Sequence, residues 1–523
     1  MKHFLLSILL LVMANSLLAQ DQPPKDWFHL DKQADSYMGV SSYKSYKELL
    51  KGKKAKTIIV AVLDSGVDHK HEDLKDVMWT NPGEIPNNGI DDDKNGYIDD
   101  IHGWNFIGGK DGQNINQEQL EITRLYSYYT KKFKDVNPNS LSRKQKKEYK
   151  RYQIIKSDYD KAYKAVKDNY ERFQGLLDAL TALQKAYGKD DFAASDIPNI
   201  KVDAPLAGQV IKMLQKGGTA SDLHSRLEGA YDYYSKNINY YYNPDFDARK
   251  IVGDNYNDSY EKNYGNSDAK GPDSSHGTHV SGIIAAKRNN GIGMDGIADN
   301  VQIMSIRAVP DGDECDKDVA NGIIYAVDNG AKIINMSFGK AYSWDKKAVD
   351  KAMRYAAKHD VLLVHAAMND SKNVDKLIVF PNDRYEKKRW FKYRYVKTWI
   401  DVGALSWKKG EDAIATFSNY GQNTVDVFAP GVAIYSTTPE NTYASYNGTS
   451  MATPVTAGIA AVLMGYYPNL SAKDVKKIIE ASTIPLTQKV KKTDTQQLAN
   501  MRELCRTGGV VNLYRALQMA AKY

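Results

Sequence analysis

Cysteine is nearly absent from this chain: Cys315 and Cys505 are the only two in 523 residues. At most one internal disulfide can form, and sequence alone leaves open whether these two ever meet. Long apolar runs are also missing. After the first twenty positions nothing approaches the ~20 apolar residues that a membrane-spanning helix needs, so no stable membrane anchor is expected. Charge of one sign is not in large excess either. The net charge is +7 over 523 residues and the lysine surplus is local, so no nucleic-acid partner is expected.

The N-terminus is the exception to the missing apolar runs. Lys2-His3 precede Phe4-Leu5-Leu6-Ser7-Ile8-Leu9-Leu10-Leu11-Val12-Met13, and small and apolar residues continue to Ala19. A basic start, an apolar stretch too short to span stably and a small-residue end read as a signal peptide over residues 1–19, cut near Ala19-Gln20. The expected location is secreted or periplasmic. No cysteine follows the cut, which argues against a lipoprotein anchor.

Three short segments hold the chemistry. Thr57-Ile58-Ile59-Val60-Ala61-Val62-Leu63 is an apolar, β-branched run that reads as a buried parallel strand, with Asp64 at its carboxyl end. Open α/β sheets place functional groups at that edge. His276 opens a run that continues Val280, Ile283 and Ile284 at helical spacing, and a histidine at a helix start can project into a cleft as a general base. His279 faces the next turn and reads as a structural histidine. Ser450 precedes Ala452, Ala457, Gly458, Ala460 and Ala461, the signature of a tightly packed helix. At such a helix start the free N–H groups favour developing negative charge. Pro454 is expected in the first turn, where its missing N–H costs little.

Asp64, His276 and Ser450 thus supply an acid, a base and a nucleophile in one of the chain orders in which this triad recurs. Their segments, Val60–Asp68, His276–Gly282 and Gly448-Thr449-Ser450-Met451-Ala452-Thr453-Pro454, resemble those of the subtilisin-like serine peptidases (subtilases). The resemblance covers most of the chain, about residues 36–116 and 250–520. It implies an α/β fold of three layers around a central, mostly parallel sheet, and a serine endopeptidase acting on polypeptide substrates. It also implies that Asn369, after the strand Val361–Val364, donates its side-chain amide to the oxyanion. Ser337, Phe338 and Gly339 would form the edge on which substrate adds as a strand, and Ala366, Ala367 and Met368 one pocket wall. Subtilases usually have glycine where this chain has Met368, another small residue at Thr453 and histidine at Val455. Many carry an N-terminal inhibitory propeptide roughly twice as long as the segment available here between the signal peptide and Thr57.

Asn88–Asp100 resembles the first part of an EF-hand loop, with oxygen donors at alternate positions and Gly96 at the sixth. Its candidate calcium ligands are Asp91, Asp93, Asn95, the Tyr97 carbonyl and Asp99 or Asp100. The bidentate glutamate that closes an EF-hand is absent, since His102 holds that position. A second family-type calcium site would use Asp73 with the loop Asn289–Met294.

Asp64 and His276 are separated by an insertion, and residues 117–247 are its bulk. Tyr149, Tyr152, Ile155, Tyr159, Tyr163, Val166, Tyr170, Phe173, Leu177, Leu180, Leu183 and Tyr187 recur at three- and four-residue steps, a coiled-coil-like stripe. Asn139-Ser140 is expected to cap its start and Gly188 its end, with Gln117–Phe133 and Ala220–Tyr234 as shorter packing helices. The domain plan is therefore signal peptide 1–19, catalytic domain 20–116 and 248–523, and helical insertion 117–247. The insertion is open to three roles: a helical bundle, a lid over the cleft, or an arm for self-association or a partner. A basic cluster, Arg384-Tyr385-Glu386-Lys387-Lys388-Arg389 with Lys392, Arg394 and Lys397, reads as a solvated face or as a preference for acidic substrates. Two rival functions stay open: a catalytically silent binding protein on this fold, and a processing peptidase with one target.

Overall fold

A computed structural model describes residues 22–197, 202, 204–386 and 392–523. The signal-peptide reading falls outside these residues, as do Lys387, Lys388 and Arg389. Two compact units divide the chain: one of the described residues up to Asn116 with Ile251–Val309 and Glu314–Tyr523, and one of Gln117–Lys250 with Pro310–Asp313.

The first unit contains α1 (Ser42–Glu48), β1 (Ile58–Asp64), β2 (Gly103–Asn105), α2 (Ser275–Ala285), β3 (Val301–Arg307), α3 (Asp316–Asp328), β4 (Ile333–Met336), α4 (Lys346–Lys358) and β5 (Leu362–Ala366). It continues through β6 (Trp399–Leu405), β7 (Val427–Pro430), β8 (Ile434–Thr438), β9 (Thr442–Tyr446), α5 (Thr449–Tyr466), α6 (Ala472–Ala481), β10 (Ile484–Pro485), β11 (Val490–Lys491), β12 (Leu498–Ala499), β13 (Gly509–Val510) and α7 (Leu513–Ala520). A nine-stranded sheet runs β10-β13-β7-β6-β5-β4-β1-β3-β2, parallel except at β10–β13.

The central strands β1 and β3–β7 are buried along nearly their whole length rather than on alternate residues, because helices cover both faces. Along β1, Val60 and Val62 join the cluster that holds Val455, Ile459 and Val462 of α5. Leu63 points the other way, onto Gly322 of α3. Each such buried side chain contributes about 1.5–3 kcal/mol, so the sheet and its two helical layers are one energetic unit. The segment before β1 belongs to it: Trp27 is fully buried and its indole donates to Val432 O at 3.0 Å, while Leu513 N donates to Val40 O at 2.9 Å.

In the second unit the helix Arg143–Tyr187 is the longest element, ending at Gly188 with φ 71°. Its start is not capped by Asn139-Ser140. Those residues form a 3-10 turn, and Ser142 makes the capping box with Gln145 three residues on, a side-chain reach that the sequence pattern did not single out. The expected stripe divides in two. Its first half packs on the helix Glu121–Phe133 through Tyr126 stacked on Tyr159 (4.0 Å) and Phe133 edge-to-face with Tyr149 (5.2 Å). Its second half buries Leu180 and Leu183 with Val210, Leu214, Leu223 and Leu227, and Leu176, outside the stripe, is buried there while Leu177 is only partly buried.

Cys315 and Cys505 are both buried thiols, and no disulfide joins them. Among the described residues no helix is long and apolar enough to cross a membrane.

Candidate active site

Parallel register lines up the carboxyl ends of adjacent strands. Asp64 pairs with Arg307, Leu63 with Met336, and Met336 with His365. Side chains just beyond β1, β4 and β5 therefore share one edge of the sheet, where such folds place their sites.

Asp64 is 1% exposed. Its Oδ1 accepts the Ser65 N–H at 2.8 Å and faces His276 Nδ1 at 2.7 Å, while Ala308 N holds its carbonyl at 3.0 Å. Arg307, also buried, donates Nε to Ser65 O at 3.1 Å, fixing the turn after Asp64. His276 lies in the first turn of α2. That helix can stand against β1 only because Gly277 has no side chain: a Cβ there would sit 2.2 Å from Gly66 O. Burial alone would hold the imidazole down, but the charge and hydrogen bond of Asp64 outweigh it and raise His276 above the usual histidine value. The ring keeps 39% of its side-chain surface exposed, so its outer edge is open. His279, three residues on, does structural work. It is buried, bonds Ala444 O at 3.0 Å, stacks on Tyr446 at 4.3 Å, and is pushed down to about 3 chiefly by burial.

Ser450 is the second residue of α5. Its hydroxyl donates to Ser337 O at 3.1 Å, and no hydrogen bond joins it to His276 among the described residues. Ser337 Oγ in turn donates to Ser450 O at 2.9 Å and accepts from the fully buried Asn335 at 3.0 Å. This exchange explains Pro454, which is not in the first turn as expected but inside the helix. A proline removes the N–H that would bond the carbonyl four residues earlier, here that of Ser450. The Ser337 hydroxyl replaces that donor, so the residue expected at the substrate edge also anchors Ser450.

Asn369 follows β5. Its Oδ1 accepts from Thr449 N at 2.9 Å and Thr449 Oγ1 at 3.0 Å, which assigns Nδ2 to the opposite side of the amide. Nδ2 and the Ser450 N–H stand 3.6 and 3.5 Å from the point where a Cβ on Gly448 would be. Two donors thus border the same small volume beside the start of α5. Met368 has φ 75°, in the left-handed region that glycine adopts freely. Ala366 and Ala367 are buried beside it, as are Ser337 and Phe338 across from it, with Gly339 half-buried.

The acidic loop does not gather all of its expected ligands. Asp93 and Asp100 come together, and Asn95 donates Nδ2 to both at 3.1 Å. Asp91 instead caps the amides of Asn95 and Gly96, and Asp99 those of Asn88 and Gly89. The ring of Tyr97 packs on Trp104 and Tyr325. Glu84, which the spacing pattern missed because it precedes the run, completes the cluster: one oxygen each from Glu84, Asp93 and Asp100 lie within 4.8 Å of one another. An all-oxygen, all-anionic donor set fits a hard cation such as calcium. Burial, with a contribution from the Asp93 charge, pushes Asp100 up to about 6 against the hydrogen bonds of Tyr325, Asn81 and Asn95. Asp73 meets the loop it was expected to join. Its oxygens accept from Asn290 Nδ2 at 2.5 Å and Met294 N at 3.1 Å, so it ties down the 289–294 loop.

Comparison with known proteins identifies the family. The profile of the Subtilase family matches residues 55–504. The chain is 38% identical over 224 residues to the thermophilic serine proteinase of Bacillus sp. (strain AK1), covering 43% of this chain and 49% of that one. It is 39% identical over 215 residues to subtilisin DY of Bacillus licheniformis, covering 40% and 71%. It is also 35% identical over 244 residues to thermitase of Thermoactinomyces vulgaris, covering 46% and 75%. The chain thus spans about half the length of the first of these relatives and less than half of its own length is aligned with any of the three.

Proposed function

Because this chain belongs to the subtilase family, we propose that it is an exported serine endopeptidase that hydrolyses peptide bonds with Asp64, His276 and Ser450. The observation that carries this reading is the 2.7 Å hydrogen bond from His276 Nδ1 to the buried Asp64, at the sheet edge where α5 presents Ser450.

Asp64 accepts a hydrogen bond from Nδ1–H, which keeps the proton on Nδ1 and leaves the lone pair on Nε2. On substrate binding the Ser450 hydroxyl turns from the Ser337 carbonyl to Nε2. Oγ then bonds the scissile carbon as its proton passes to Nε2. The carbonyl oxygen becomes an oxyanion and takes hydrogen bonds from Asn369 Nδ2 and the Ser450 N–H, which border one volume before substrate arrives. The C–N bond breaks as Nε2 protonates the leaving amine, and an acyl group stays on Ser450. Water repeats the sequence, with His276 as base again, and frees the acid product. Ser337, Phe338 and Gly339 line one side of the bound strand; Ala366, Ala367 and Met368 line the other. Glu84, Asp93 and Asp100 would hold a calcium ion whose work is to neutralise the loop, not to react.

Substitution tests this reading. Purified Ser450→Ala should lose on the order of 10⁶ in turnover of casein, the scale measured for such a loss in this family. Cleavage by that variant at more than a few per cent of wild type would end the assignment.

A further inference from the structure

The segments Ser337–Gly339 and Ala366–Met368 face each other across the space for the acyl-side residue of the scissile bond. That space is not empty. The Met368 sulfur stands 2.8 Å from where a Cβ on Gly339 would be, with Phe380 O at 3.0 Å and His365 Nε2 at 3.5 Å from the same point. A thioether rooted in one wall therefore touches the other.

The backbone fixes where this side chain starts. Asn419 N holds the Met368 carbonyl at 2.9 Å, Ala367 N is bonded to Val402 O at 3.0 Å, and Asn369 is tied to Thr449. Met368 keeps its left-handed φ of 75° within these constraints. That conformation costs a residue with a Cβ on the order of 1–3 kcal/mol, which a glycine would not incur. The wall behind cannot retreat. His365 is 1% exposed, with Nδ1 bonded to Asp401 Oδ1 at 2.7 Å; Trp399 Nε1 donates to Asp401 Oδ2 at 2.7 Å and its ring lies 4.8 Å from that of His365. Pocket depth is thus set by one residue, and that residue is the long thioether.

Building on the peptidase reading, we propose that Met368 is a specificity-determining residue that fills the acyl-side pocket and selects peptides with glycine, alanine or serine there. Large aromatic residues are excluded because their ring and the thioether require the same volume. Apolar pockets discriminate by about 10–200-fold per methylene, and phenylalanine is larger than alanine by a whole ring.

The test uses two chromogenic peptides identical except for alanine or phenylalanine on the acyl side, with the full-length enzyme and its Met368→Gly and Met368→Ala variants. Glycine is at ease at this φ, so the first variant should fold, and alanine provides a second shortened side chain. Wild type should favour the alanine peptide in kcat/KM by at least about tenfold, and each variant should shift the phenylalanine-to-alanine ratio upward by at least about tenfold. A wild type that cleaves both peptides equally, or variants that leave the ratio unmoved, would overturn the proposal while the peptidase reading stands. If wild type cleaves neither peptide and Ser450 takes no fluorophosphonate, the peptidase reading itself fails and takes this proposal with it.

Discussion

The side chain of Asn369 has two jobs. Its oxygen accepts two hydrogen bonds from Thr449, and its Nδ2 borders the volume that the Ser450 N–H also faces. Asn369→Ala loses both. The donor acts only once charge develops, so kcat should fall about 10²–10³, or roughly 2.7–4 kcal/mol, a magnitude measured on an enzyme of this same family, while KM changes little. The acceptor job is structural. Losing the bonds to Thr449 should cost about 0.5–1.5 kcal/mol each and lower the melting temperature. Asn369→Asp tells the jobs apart: it keeps an oxygen for Thr449 but aims a second oxygen at the oxyanion. It should retain more of the melting temperature than alanine and lose at least as much kcat. Steady-state kinetics on a small ester with thermal melts of all three proteins make the assay. A kcat for Asn369→Ala within tenfold of wild type, or a loss expressed wholly in KM, would refute the oxyanion role.

Two further outcomes follow from the electrostatics. Asp64 raises His276, and the neutral imidazole is the base, so the acid limb of kcat/KM should lie above pH 6.5, the ordinary histidine value. The same shift stabilises the fold below pH 6.5, and that contribution is lost as pH rises through the raised value. Asp64→Asn should lower the limb along with activity; a limb that stays in place would contradict the pairing. For the acidic loop, chelation should lower the melting temperature, and Asp93→Ala or Glu84→Ala should remove most of that response. A melting temperature indifferent to chelator would count against calcium there.

The pairing of His276 with Asp64 was legible because it needs particular residues in fixed local settings. A strand end, a helix start and a close approach at Gly277 leave marks in the sequence itself. The long helix was legible in the same way, through its period and its terminal Gly188. What stayed hidden depends on contacts between distant segments. Ser337 supplies the hydrogen bond that Pro454 removes from α5, across more than a hundred residues, and no local pattern announces it. Glu84 joins Asp93 and Asp100 only because the chain folds back, and Asp91 and Asp99, equally well spaced, turn to backbone amides instead. The capping box of Ser142 was within reach of the sequence: a serine followed three residues on by glutamine is its signature. Met368 was visible as an oddity against the family pattern, but its left-handed φ and its reach to Gly339 needed coordinates.

The central claim is that Ser450 is a nucleophile activated by His276. Its most direct measurement is peptide mapping after reaction of the native protein with a fluorophosphonate. The account predicts a single stoichiometric adduct on Ser450 that disappears when the protein is unfolded first and falls sharply in His276→Ala. No adduct, or an adduct on another serine that persists in Ser450→Ala, would contradict it.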